Sequence, residues 1–389
     1  MKLRKNTVLG VILFLFILLI GICVLEFASG LILRDTKLDQ KVRYLEGRLK
    51  DSSRQIGCFD PYLGWGYRPG ATEEKHSSDF DVVYHINSAG FREKEPLEDN
   101  KAACFRVIAL GESNVFGEGV DYGKRFTEII EGSLQDVEVI NMGVRGFGAD
   151  QSLLQLENGG FRFRPNTVIL FVIRDFFERC KLYKRLGQIK PRFILSEDKK
   201  DLILQDMDFI ENKLGAHTDP ESDCNFSAVT AGRPGRSFLA KSSLVTFLNS
   251  KKRIAEIDKI ATGETQYKWQ KISEWLESDR RQGVRYNDND FKQLIFLILE
   301  RYKKICDRNS SEFVLIYIDK NKDYFSKFIA DPVKKLKIDY LDLSGVLCDA
   351  ANKESLTFNI DPHYNAFAHM VIGANVSDYL AKKYDLAGK

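Results

Sequence analysis

The chain has 389 residues, 44% hydrophobic and 29% charged, enough apolar sequence for one large folded domain or a domain carrying an insertion. Its 58 Lys and Arg against 55 Asp and Glu leave a net charge of +3, and no basic stripe is interleaved with aromatics. That excludes nucleic acid as the expected partner. No internal repeat or low-complexity tract interrupts the chain.

In chain order, the first element is Val8 to Leu25, apolar and free of charge, preceded by Lys2, Arg4 and Lys5. Its length suits a spanning helix of about 18 to 20 residues, and the preceding cations favour an N-terminus that stays in the cytosol. The expectation is a single-pass membrane anchor over residues 1–33 with the remainder outside. A cleaved signal peptide fits less well, because Ala28-Ser29-Gly30 is a weak cleavage site. Residues 34–100 read as a charged stalk and a leader segment. The main domain occupies 101–389, with an insertion at about 176–286.

Within that domain apolar strands alternate with helical segments. The candidate strands are Phe105–Leu110, Val137–Asn141, Thr167–Val172, Phe313–Ile318 and Ile338–Leu343. Such alternation predicts an α/β fold with a parallel sheet of about five strands covered by helices on both faces. The strongest helix is Asp290 to Asp307, where Phe291, Leu294, Ile295, Ile298, Tyr302 and Ile305 recur at helical spacing behind the possible caps Asn287 to Asn289. A last helix follows His363, and His369 on it reads as a packing residue. The insertion begins with a hairpin, Lys190–Leu195 and Leu202–Leu204. Later Trp269, Ile272, Trp275 and Leu276 form an amphipathic helix face, and the whole insertion has the position of a lid or substrate-shaping element.

Cys58, Cys104, Cys180, Cys224, Cys306 and Cys348 follow the apolar segment and allow 15 pairings, among which the sequence does not choose. No Cys or Cys/His group has zinc spacing, so no metal is expected. The glycines around residue 117 match neither G-x-G-x-x-G nor a phosphate loop ending in Gly-Lys-Ser/Thr, so neither nucleotide nor any other cofactor is expected.

Two short pieces carry the chemistry. Gly111-Glu112-Ser113 follows the first strand directly, and Asp361-Pro362-His363 lies near the C-terminus. Serine needs a histidine to take its proton and an acid to fix the imidazole tautomer. Pro362 biases Asp361 toward an extended conformation, and residues two apart in an extended segment point the same way. Ser113, His363 and Asp361 are therefore the candidate nucleophile, base and orienting acid. Catalysis belongs at the C-terminal ends of the strands of such a sheet, where ligands bind.

With these pieces in place the chain resembles the SGNH/GDSL hydrolases over roughly residues 60 to 383. The family's first block, Gly-Asp-Ser with a glycine four residues on, appears as Gly111-Glu112-Ser113-Asn114-Val115-Phe116-Gly117, with Glu112 in place of aspartate. Its second block appears as Asn141-Met142-Gly143-Val144-Arg145-Gly146-Phe147-Gly148-Ala149-Asp150-Gln151, and its last as Asp361-Pro362-His363-Tyr364-Asn365. The stretches Gly64–Pro69 and Asn87–Arg92 resemble the leader of membrane-anchored members. The resemblance implies a flavodoxin-like three-layer α/β/α fold and a serine esterase or O-acyltransferase, and the membrane tether favours an acylated carbohydrate or lipid of the cell envelope as its substrate. A binding protein with an impaired site is the alternative. The backbone N–H groups of Ser113 and Gly146 would hold the oxyanion. The third donor of the family, an asparagine, aligns with Arg174. Turned inward, its guanidinium would replace the amide; turned away onto Asp175 or Glu178, it would leave the two backbone donors alone.

Overall fold

The computed structural model describes Phe14, Ile17, residues 19–25, 56–76, 79–94, 104–185, 188–214, 283–359 and 361–389. The chain divides into two compact units, Met1–Ser52 with Ala228–Lys271 and Ser53–Ser227 with Ile272–Lys389. In the first, Phe14, Ile17 and Leu19–Leu25 are helical and their apolar side chains are exposed. No helix among the described residues is long and apolar enough to cross a membrane, and much of the expected Val8–Leu25 span lies outside them. The Trp269–Leu276 helix face also lies outside them.

The second unit is built on a five-stranded sheet of β1 (Phe105–Leu110), β2 (Val137–Asn141), β3 (Thr167–Val172), β4 (Glu312–Tyr317) and β5 (Asp339–Asp342). Every neighbouring pair is parallel, in the order β5-β4-β3-β1-β2. This is the flavodoxin-like strand order, whose switch point falls between β1 and β3. β4 begins one residue earlier than the apolar run, because Glu312 pairs with Thr167 at the strand's start. Ile318, expected inside the strand, lies just beyond it and donates its N–H to Val172 O.

Alternation along the strands sorts the core into two faces. Val107, Ala109, Ile169, Phe171, Val314 and Ile316 pack on α1 (Phe126–Ser133), α4 (Ser344–Ala351) and α5 (Ala366–Tyr384). Ile108, Leu110, Val168, Leu170, Leu315 and Tyr317 face α2 (Ala149–Gly159) and α3 (Asp288–Arg308). Asn287 caps α3 by accepting from Asp290 N at 2.9 Å, a bond worth about 1 kcal/mol. His369 is buried on α5, and its Nδ1 accepts from Phe126 N at 3.1 Å, which fits a packing role.

Two antiparallel hairpins of the leader, Gly57–Asp60 with Gly64–Tyr67 and Thr72–His76 with Asp81–His85, add Ile56, Trp65, Tyr67 and Tyr84 to the α2/α3 face. In the insertion a short antiparallel pair, Lys184–Arg185 with Gln188–Ile189, precedes the expected hairpin, Arg192–Leu195 with Leu202–Gln205. Below it, Lys190 Nζ meets Asp150 at 2.5 Å with both side chains fully buried. Removing either partner would strand a charge in the core at a cost of about 3–5 kcal/mol. No disulfide joins the described cysteines.

Candidate active site

β1 ends at Leu110, and the chain turns at once into a single helical turn, Ser113–Phe116. Glu112 caps it, accepting from the Asn114 backbone N–H at 3.1 Å and from Asn114 Nδ2 at 2.8 Å. As the first residue of the turn, Ser113 has no intrahelical partner for its N–H. Its side chain stands at the C-terminal edge of the sheet.

The segment carrying His363 comes back across that edge. Tyr364 N donates to Asn114 Oδ1 at 3.0 Å and Tyr364 Oη to Ile318 O at 2.5 Å, so the segment is tied both to the serine turn and to the end of β4. His363 Nε2 lies 2.8 Å from Ser113 Oγ, and His363 Nδ1 lies 2.5 Å from Asp361 Oδ1. The same Asp361 oxygen accepts the His363 backbone N–H at 2.9 Å, and Asp361 N donates to Asp79 Oδ2 at 2.8 Å. Two residues 250 positions apart in sequence thus share one hydrogen bond. A quarter of the His363 side chain is exposed, so the base is reachable from solvent.

Ser113 Oγ has a second neighbour. Glu112 Oε2 lies 2.6 Å from it, yet the hydroxyl has one proton to give. When His363 is protonated, Nε2–H donates to Oγ and Oγ–H donates to Glu112. When His363 is neutral, Nε2 and Glu112 compete for that proton, and only transfer to Nε2 leads to attack on a carbonyl. Burial works to raise the Glu112 carboxyl, but the Arg179 guanidinium 3.7 Å away and the bond from Ser113 outweigh it and hold it below the ordinary value. Burial likewise works to lower the imidazole of His363. The Asp361 bond and the carboxylates of Glu118, Asp361 and Glu112 outweigh that too, and its pKa is raised.

The turn after β2 forms the facing wall. Asn141 Nδ2 donates to Val115 O at 2.6 Å and its Oδ1 accepts from Gly143 N at 2.9 Å, which locks this turn to the serine turn. A side chain at Gly143 could not fit, because a Cβ there would stand 2.5 Å from Phe116 N. Gly146 has φ +78°, and its N–H makes no hydrogen bond among the described residues. The leader holds this wall in place. Trp65 Nε1 donates to Arg145 O at 2.8 Å, and Arg145 N donates to the Tyr67 hydroxyl at 2.9 Å. Arg92, buried, donates to Phe116 O, Gly117 O and Val120 O below the serine turn. Glu118 is buried too and pairs with Lys75 and, at 2.6 Å, with Arg145 Nε.

Arg174 follows β3 and starts the short helix Arg174–Glu178. Its guanidinium turns to Asp175 at 3.4 Å and is 53% exposed, so the structure does not bring it to Ser113. The inward orientation is therefore set aside; a guanidinium at this surface is better solvated beside a carboxylate than buried. Ser113, His363, Asp361 and the Gly146 turn share one edge. Glu112, noted from sequence only as the replacement for an aspartate, surrounds them together with Glu118, Arg145, Arg179 and Arg92, which were not singled out. Glu118 carried the clearest hint, a lone acid between Gly117 and Gly119. Among the described residues no three His, Cys, Asp or Glu are grouped to hold a metal ion.

No protein-family model matches the chain, and neither does any curated protein. Solved structures that it is similar to include esterases and lipolytic or acylhydrolase proteins. One is a psychrotrophic esterase from Pseudoalteromonas sp., 10% identical, with 72% of this chain and 99% of that one covered and a TM-score of 0.37. Another is a lipase/acylhydrolase from Enterococcus faecalis, 10% identical, with 73% and 98% covered and the same TM-score of 0.37. A third is a member of the lipolytic G-D-S-L family from Veillonella parvula, 12% identical, with 72% and 96% covered and a TM-score of 0.31. Likenesses of this size carry no weight for function, which rests on the side-chain geometry.

Proposed function

We propose that the chain is a serine esterase of the SGNH/GDSL type. The observation that carries this is the run Ser113 Oγ, His363 Nε2, His363 Nδ1 and Asp361 Oδ1, with separations of 2.8 Å and 2.5 Å. Ser113 attacks the ester carbonyl as its proton passes to Nε2, and Asp361 steadies the imidazolium. The N–H groups of Ser113 and Gly146 receive the oxyanion. His363 then returns the proton to the leaving alcohol, and water, activated by the same imidazole, releases the acid. A sugar hydroxyl in place of that water would give acyl transfer. The partly exposed base leaves room for a bulky alcohol portion, which fits an acylated carbohydrate or lipid.

The test is labelling of the full chain with a serine-directed fluorophosphonate, together with hydrolysis of p-nitrophenyl acetate. The wild type is expected to do both. Ser113→Ala should abolish labelling and lower kcat by about 10⁴- to 10⁶-fold, as loss of a nucleophile in a cooperating triad does. Labelling that persists in Ser113→Ala would remove this assignment.

A further inference from the structure

Beside the triad, past the end of β3, lies a cleft of about 620 Å³ lined by Arg174, Arg179, Lys181, Arg185 and Arg285, with Asp175 and Glu178. Five cations face two carboxylates, in a chain whose overall charge is close to balance. Tyr286, Tyr324 and Phe328 supply its aromatic wall. The volume is that of an ordinary small-ligand site.

Two buried polar atoms of residues that line the cleft are unaccounted for by the protein. The Tyr324 hydroxyl and Arg179 Nε are both buried and have no hydrogen-bond partner among the described residues. Each belongs to a residue only 7% exposed. Burial holds the Tyr324 phenol well above its ordinary pKa, so it stays a neutral O–H donor. An orphaned buried donor is costly, and two of them on residues lining one cationic cleft point to a ligand that accepts. Four of the five cations are arginines, whose planar fork matches a carboxylate or phosphate through two parallel bonds.

The cleft also touches the chemistry. Arg179 lies 3.7 Å from Glu112, which lies 2.6 Å from Ser113 Oγ, so an anion on Arg179 sits within reach of an ester at the nucleophile. We propose that this cleft binds an anionic group, carboxylate or phosphate, carried by the alcohol portion of the ester. That assignment of the ligand's place in the reaction rests on the esterase reading; the binding itself does not. Arg174, turned away from Ser113, is then a residue of the cleft mouth.

The experiment measures equilibrium binding to the full chain carrying Ser113→Ala, so that turnover plays no part. The probes are tetragalacturonate for carboxylate, glycerol 3-phosphate for phosphate, and maltotetraose as the neutral control. At least one anion should bind about tenfold or more tightly than maltotetraose at low salt, and whichever does identifies the group. Arg185→Glu with Arg285→Glu should weaken that anion by about ten- to a hundredfold. Tyr324→Phe, which removes one oxygen and leaves the packing intact, should weaken it by about three- to tenfold. Equal binding of all three probes, or anion binding untouched by both sets of changes, would overturn the proposal. Anion binding in a wild type that hydrolyses no ester would leave the cleft standing and remove only the esterase reading.

Discussion

On the β2 side of Ser113 the wall of the site is clamped from behind: Trp65 and Tyr67 hold both polar ends of Arg145, Asn141 ties two turns together, and Arg92 fills three carbonyls below. On the β3 side the corresponding position, Arg174, is anchored through its backbone N–H to Asp319 while its side chain lies at the surface. One flank presents fixed backbone donors and the other presents long cations lining a cleft. Oxyanion stabilisation requires donors that do not reorganise, whereas recognition of a charged ligand tolerates longer, adaptable side chains. The two flanks therefore suit different tasks.

The largest effect should come from breaking the rigid flank. Gly146→Val forces a β-branched residue into φ +78° against the Trp65 ring, 3.4 Å from the new Cβ. Displacing that N–H should lower kcat for p-nitrophenyl acetate by about 10²- to 10³-fold, with the fold retained by circular dichroism. A rate within twofold of wild type would show that Gly146 is not a donor. On the open flank Arg174→Ala should alter the same rate by less than about threefold, since its guanidinium is on Asp175. Arg174→Asn should raise it above wild type, by up to about tenfold, if the shorter amide reaches the vacant third position. A large loss in Arg174→Ala would mean that the arginine swings inward during turnover.

The smallest effect concerns pH. His363 works as a base only when neutral, and its pKa is raised, so the proton persists to higher pH and the rate falls as pH drops through that raised value. The acid limb of kcat/KM should lie above the ordinary imidazole value of about 6.5. Glu112→Gln removes one of the carboxylates that hold the proton on, and the limb should move toward lower pH. A limb that stays in place would exclude Glu112 from tuning the base.

The strands and the triad were legible for separate reasons. β1, β2 and β3 are apolar runs bounded by polar turns, and burial on both faces makes that unavoidable. Ser113 and the Asp361–His363 pair stand in short local patterns. Arg92, Arg145 and Arg179 were not legible, and Glu118 only as an acid between two glycines, because an isolated charge has no periodicity, and its partner is set by tertiary packing across scores of residues. Arg174 was legible as a position, but its direction depends on Asp175 winning over the site, a contest that alignment cannot decide.

The 250 positions that separate Ser113 from His363 also have a temporal meaning. During synthesis the serine, the glycine turn and the leader hairpins emerge long before the base does, and a domain generally folds as a unit. A ribosome-bound chain would carry Ser113 without its histidine. On the esterase reading the hydroxyl gains its base only after the whole insertion and β4 have been laid down and Tyr364 has docked on Asn114, so the nascent protein would be spared its own chemistry until folding is nearly complete.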